Sequence, residues 1–189
     1  MTLATQTVKF IQMKDGTKED YDILLAAEPA DHQFVADNAL MLLKQMAGDR
    51  QGYQIDRYQH SLQTATRAQR DGADDELVVC ALLHDVGDVL APGNHSELAA
   101  AILRPYVSED NHWIVKHHGA FQGYYFFHHR GRDRNVRDRY RDSPYYDACA
   151  HFCEAWDQAA FDPAYDTLPL EAFEPAVRAI FAREAAAFA

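Results

Sequence analysis

Four histidines and two aspartates are the residues of this sequence best suited to metal chemistry. His84 and Asp85 are adjacent in "ALLHDVGDVLAPGNH", directly after an apolar run. Imidazole nitrogens and carboxylate oxygens are both good ligands for iron, manganese or zinc. Adjacent helical residues point about 100° apart, so the two side chains reach a common site only if it lies beyond the helix tip. The two oxygens of Asp85 can then bridge two ions, although the pair alone is a weak signal.

The other four candidate ligands come from separate parts of the chain. They are His60, His95, His118 and Asp157. Taken singly, each histidine is better explained as a buried side chain bonded to the backbone, and the aspartate can be explained as the partner of an arginine. Taken in order, as His, His-Asp, His, His and Asp on separate predicted helices, the six predict a two-metal site inside a helical bundle.

Helical periodicity and capping residues predict the elements that must position these side chains. Predicted helices cover 31–48, 56–72, 74–87, 94–106, 109–121, 143–161 and 169–189. Asp31, Asn94 and Ser143 are predicted N-caps, and Asp74 or Asp75 caps the third helix. A short extended piece is predicted over 9–13 and a long Arg-rich loop over 123–142. The fold class is all-α.

Composition limits the domain count and the partners. The chain has 189 residues and a formal net charge of -11, with 29 acidic against 18 basic side chains. This length suits one domain, and the charge argues against nucleic acid or an anionic membrane as the main partner. Three cysteines, an odd and sparse set, fit a reducing cytoplasm. We therefore expect a cytoplasmic protein. The overall charge says little about a small-molecule substrate, because local charge controls such a site.

The motifs around the candidate ligands resemble the HD-domain superfamily of metalloproteins. The matching segments are "HSLQTA" at His60, "LLHDVGD" at His84, "NHSELAAAIL" at His95, "HHGAF" at His118 and "AWD" at Asp157. The closer likeness is to the mixed-valent diiron oxygenases, which include myo-inositol oxygenase and the phosphonate-cleaving oxygenases. The latter act on 2-amino- or 2-trimethylammonio-1-hydroxyethylphosphonate. The resemblance implies a single HD-domain helical bundle over 1–189, with 1–50 as an N-terminal helical extension and 53–173 as the metal-binding core.

The resemblance also implies a ligand set and a chemistry. One iron is held by His60, His84 and Asp157, the second by His95 and His118, and Asp85 bridges them. Gly119 after His118, a small residue as in the relatives, favours His118 over His117. The implied cofactor is an Fe(II)/Fe(III) pair with O2 as co-substrate, cleaving a C–P or C–C bond beside a hydroxyl-bearing carbon. Asp85 is then catalytic. Tyr53 is a further catalytic candidate, either as a lid or as a residue that occupies the vacant iron site before the substrate arrives.

The substrate is less clearly defined, because three positions that are basic in the amino-phosphonate enzyme differ here. They are Asp88, Gln122 and Glu154. Either the anion is bound elsewhere or the substrate has no phosphonate. Arg130 and Arg134 are the candidate replacements, since guanidinium matches phosphonate oxygens, but they are equally explained as surface arginines. Tyr124 begins an aromatic run that suits either a packed core or a quaternary ammonium group, for which Asp88 or Glu154 could supply negative charge. Asp88, Gln122 and Glu154 are therefore still candidate substrate contacts.

Two other functions remain open at this point. One is a redox-silent, metal-dependent HD phosphohydrolase acting on a nucleotide or phosphate ester. The other is a catalytically inactive HD module that serves in binding or signalling. Six ligands rather than four favour the oxygenase, because His95 and His118 build a second metal position.

Overall fold

The computed structural model describes residues 6–32 and 34–185, with only the helical backbone for residues 28–32. This part of the chain contains eight α-helices, one π-helical segment and no strand. The α-helices are α1 (Lys18–His32), α2 (Val35–Gln45), α3 (Arg57–Arg70), α4 (Asp75–Leu83), α5 (His95–Leu103), α6 (Glu109–Phe126), α7 (Tyr146–His151) and α8 (Glu174–Phe181). The π-helical segment is Phe152–Asp157. The predicted all-α class is confirmed.

Helix α4 is the centre of the core. Its apolar sequence "VVCALL" is buried on every side, as expected of a helix that is hydrophobic all round. Helix α3 packs along α4, while α6 and α8 cover other faces of it, and α5 pairs with α6. Cys80, Cys149 and Cys153 are buried free thiols. No helix within the described ranges is both long and apolar enough to cross a membrane.

The predicted starts of α3, α4 and α6 agree with the structure, whereas the predicted N-caps Asn94 and Ser143 do not. Asp74 caps α4, its carboxylate accepting the Leu77 N–H at 2.8 Å. Asn94 makes no side-chain cap bond to α5, because it ends a 3-10 turn with ψ 27° rather than the extended conformation that a cap requires. Ser143 is also wrong as a cap, since α7 begins only at Tyr146. Asp31 lies within α1, and its side chain is outside the described residues.

Two predicted irregular segments are wrong. Residues 9–13 form no strand, and the Lys9 N–H instead donates to the Asp20 carboxylate, which docks the chain on α1. The predicted loop over 123–142 is a continuation of α6 followed by the 3-10 turns Phe127–Arg130 and Arg134–Tyr140. The guanidiniums of Arg134 and Arg137 lie 3.9 and 3.7 Å from the centre of the Tyr124 ring. This stacking packs the Arg-rich turns against α6.

The chain leaves α4 through a turn that only glycine permits. α4 ends at Leu83, and a 3-10 turn covers Val86–Val89. A Cβ on Gly87 would overlap the backbone carbonyl of His95, at the start of α5. Backbone atoms cannot move aside as a flexible side chain can, so glycine allows this close approach. The turn therefore fixes the distance between the end of α4 and the start of α5.

We expect Gly87→Ala to lower the free energy of unfolding by roughly 1–3 kcal/mol, because it overpacks a buried turn. Gly93→Ala is the matched control, since a Cβ there has no atom within 4 Å. Urea unfolding curves of both variants provide the comparison. Equal stability of the two variants would contradict the close-approach role of Gly87.

A carboxylate ties α4 to the start of α6 and to the chain end. Glu76 Oε1 accepts from Ser108 N–H at 2.7 Å, Ser108 O–H at 2.6 Å and Asn111 Nδ2 at 2.9 Å. Arg183 donates to Oε2. Burial alone would raise the pKa of Glu76, but these hydrogen bonds lower it to about 2.

Because its folded pKa is depressed, Glu76 contributes stability that is present above its unfolded pKa. That contribution is lost as the pH falls from about 4.5 towards about 2. We expect Glu76→Gln to be less stable than the wild type by about 2 kcal/mol near neutral pH. The difference shrinks in acid, as followed by urea midpoints across pH 3–7. A constant difference over that range would show that the charge of Glu76 is not responsible.

Candidate metal centre

The first group of donor atoms gathers just past the end of α4. His60 Nε2 lies 3.2 Å from both His84 Nε2 and Asp157 Oδ1. Asp85 Oδ2 lies 3.6 Å from His60 Nε2 and 3.5 Å from His84 Nε2. All four side chains are buried. Two nitrogens and two oxygens thus surround one position, which we call the first position.

The second group lies on the other side of Asp85. His95 Nε2 and His118 Nε2 are 3.3 Å apart. Asp85 Oδ1 is 3.4 Å from His95 Nε2 and 3.3 Å from His118 Nε2. These three atoms define the second position. The two oxygens of Asp85 therefore face different donor sets, which is the arrangement of a bridging carboxylate.

Backbone carbonyls orient all four imidazoles. Nδ1 of His60, His84 and His118 lies 2.7–2.9 Å from the carbonyl oxygens of Ala160, Ala81 and Val115, and Nδ1 of His95 lies 3.2 Å from that of Pro92. A carbonyl can only accept, so each Nδ1 carries the proton and donates it. Nε2 then faces the centre with a free lone pair, as metal-binding histidines do.

The carboxylate of Asp157 supports the same interpretation. Its Oδ2 is buried and has no hydrogen-bond partner in the described part of the chain. Buried acceptors are nearly always satisfied, and a cation would satisfy this one. The donor set, its orientation and this unpaired oxygen together fit a pair of metal ions.

The electrostatics of the metal-free centre favour a bound cation. Burial alone would lower the pKa of His84, but the charges of Asp85 and Asp157 raise it to about 9. Burial alone would raise the pKa of Asp85, but His84, His118 and Arg57 hold it well below its usual range. In the metal-free centre, a second proton therefore competes with a metal ion for His84 Nε2. Metal binding must displace that proton, so affinity falls as the pH is lowered.

Local structure explains how Asp157 and His60 reach the centre. Asp157 ends the π-helical segment, a wider helix often found at functional sites. The buried amide of Gln63 donates to the Asp162 carbonyl at 2.8 Å, and its oxygen accepts the Asp162 N–H at 3.2 Å. This pair holds the segment whose Ala160 carbonyl orients His60.

Arg57 is a residue of the centre that the sequence analysis missed. Its Nη1 donates to Asp85 Oδ2 at 2.6 Å. Its Nη2 lies 2.9 Å from Asp88 Oδ2, within ion-pair distance. Burial alone would lower the pKa of Arg57, but the charges of Asp85 and Asp88 raise it above its usual value. The available signal was its spacing, because a residue three before His60 shares a helix face with it.

Three residues proposed for substrate binding or gating have different neighbours. Gln122 Nε2 donates to Asp157 Oδ1 at 2.9 Å, so it orients a candidate ligand. Glu154 is exposed on the π-helical segment. The ring of Tyr53 stacks on Phe161 at 4.9 Å, and Phe161 stacks on His60 at 4.4 Å. Tyr53 therefore lies one ring away from the first position.

The Arg-rich turns do not join the centre. The Tyr124 ring is taken up by Arg134 and Arg137, and Arg130 lies 5.1 Å from the Phe126 ring centre. Within the described residues, no hydrogen bond or ion pair links these side chains to the six candidate ligands. His117 likewise turns away from the centre and stacks on Trp113 at 4.1 Å, while His118 faces it.

Comparison with known families agrees with this geometry. The family model described as HD domain matches residues 57–158, which is more than half of the chain. The protein belongs to the HD domain family, whose members bind divalent metals. No curated protein matches the chain.

We expect Asp85→Ala to lose both metal ions, because Asp85 contributes an oxygen to each position. His118→Ala should lose only the ion of the second position. Asp147→Ala, which removes an exposed aspartate of α7, is the control. The number of metal ions per protein chain is measured after metal loading and gel filtration. Retention of two ions by Asp85→Ala would refute the bridging assignment.

Proposed function

We propose that this protein is an O2-dependent diiron oxygenase that cleaves the C–P or C–C bond of a small hydroxylated substrate. The substrate we favour is a 1-hydroxyalkylphosphonate with an amino or trimethylammonio group. The observation that best supports this proposal is the position of Asp85. Its Oδ2 faces His60 and His84, and its Oδ1 faces His95 and His118.

The donor chemistry suits iron. Four imidazole nitrogens and two carboxylates are ligands that iron accepts readily. The six side chains leave coordination positions free for a substrate oxygen and for O2. When bound, the metal pair supplies Lewis acidity and electron transfer, and the chain supplies geometry and exclusion of water.

The walls of the centre divide into an apolar side and an open side. Phe161 covers His60, and Tyr53 covers Phe161, which keeps water from the first position. His95 and Arg57 each expose 24% of the side chain, so substrate approaches there. Arg57 lies at this opening, where its guanidinium already pairs with Asp85 and Asp88, so the phosphonate group is supported by the resemblance to phosphonate-cleaving oxygenases. The cationic head group is supported by the resemblance to phosphonate-cleaving oxygenases alone.

A second candidate function has support of its own. The HD domain match favours a metal-dependent phosphohydrolase acting on a nucleotide or phosphate ester. The same ligands also suit manganese. Such an enzyme would need neither O2 nor a change in metal oxidation state.

The electron paramagnetic resonance spectrum of the iron-loaded, partly reduced protein tests the oxygenase proposal. We expect an antiferromagnetically coupled Fe(II)/Fe(III) signal that changes when a 1-hydroxyalkylphosphonate is added. Asp85→Ala is the control, since it lacks the bridge and should show no coupled signal. A protein that takes up no iron, yet hydrolyses phosphate esters with manganese, would establish the phosphohydrolase instead.

Product stoichiometry separates the two reactions. Cleavage of the C–P bond of a 1-hydroxyalkylphosphonate to a carboxylate and phosphate adds both atoms of O2, so one O2 is consumed for each phosphate released. Oxygen-electrode and phosphate assays on the same sample provide the ratio. Phosphate release without O2 consumption would contradict the oxygenase.

A further inference from the structure

We propose that Asp88 is a positioning residue that sets the metal affinity of the second position through His95. The inference rests on the dinuclear centre of the proposed function and applies to either reaction. It assigns Asp88 a role different from the substrate contact that the sequence suggested.

The evidence begins with the imidazole of His95. Its Nδ1 lies 3.2 Å from the Pro92 carbonyl and 3.3 Å from Asp88 Oδ1. The other three imidazoles direct Nδ1 to a carbonyl alone at shorter distances. Within the described residues, His95 is thus the only candidate ligand whose Nδ1 faces a carboxylate. A carboxylate at this place increases the basicity of the ring and so strengthens its bond to a metal.

The second position has more need of such support than the first. Three protein donor atoms define it, whereas four define the first position. His95 is also the most exposed of the four candidate histidine ligands. Water can therefore compete with its imidazole as a metal ligand. An exposed ring with a long carbonyl bond is held less firmly than a buried one. Asp88 supplies the missing constraint.

Arg57 holds Asp88 in place. Its two terminal nitrogens contact Asp85 Oδ2 and Asp88 Oδ2 at 2.6 and 2.9 Å. Asp88 thus forms an ion pair with Arg57 through Oδ2 and faces His95 Nδ1 with Oδ1. Through Arg57, the orientation of His95 is connected to the bridging carboxylate.

The experiment is a titration of the metal-free 189-residue protein with Co²⁺. Calorimetry and visible absorption monitor the binding. The visible absorption spectrum of bound Co²⁺ depends on the geometry of its ligands, and the measurement needs no catalytic turnover. We expect two binding steps in the wild type. His118→Ala defines the signal of the first position alone.

In Asp88→Asn, we expect the second step to weaken roughly 10- to 100-fold while the first is unchanged. Asp88→Ser should give the same result, and Asp88→Glu, which keeps a carboxylate, should recover part of the affinity. Glu97→Gln is the matched control, because it removes one negative charge from α5, two residues from His95, where Glu97 pairs with surface Lys116. It should titrate like the wild type.

Three results would overturn the inference. If both steps are unchanged in Asp88→Asn and Asp88→Ser, Asp88 does not act on the metal. If both steps weaken equally, its role is general stability or charge. If the wild type itself binds fewer than two Co²⁺ ions, the dinuclear basis of the proposed function fails as well, so the two failures are distinguishable.

Discussion

The buried carboxylate of Asp85 is the constraint on which the rest of the structure depends. A charged oxygen removed from water is costly unless opposite charges and hydrogen bonds surround it. Here Arg57 and two histidines contact Oδ2, and two further histidines contact Oδ1. Bound cations would complete this set of ligands. The core is therefore built around a charged site.

The backbone around Asp85 is shaped to keep that site rigid. α4 ends just before the His-Asp pair, and Gly87 lets the following turn contact the start of α5. Carbonyls fix the imidazoles, and the Gln63 amide fixes the segment that carries one of those carbonyls. Because the supporting atoms belong to the core, the donor atoms are preorganised before any ion binds.

The fold class and the convergence of His60, His84 and Asp157 could be predicted from sequence. Each lies within a predicted helix, and residue type together with order restricts the chemistry. The spacing of Arg57 from His60 was too weak a signal to identify it, because arginines on helix surfaces are common and its two carboxylate partners are set by tertiary packing. The π-helical segment and the structured Arg-rich turns were missed for a similar reason. Stacking of Arg134 and Arg137 on Tyr124 depends on side chains meeting across turns, which local propensity does not encode.

The most direct measurement of the central claim is anomalous diffraction from crystals of the iron-loaded protein at the iron absorption edge. The account predicts two anomalous peaks, one on each side of Asp85, with one carboxylate oxygen directed to each. A single peak, or two peaks that do not share Asp85, would contradict it.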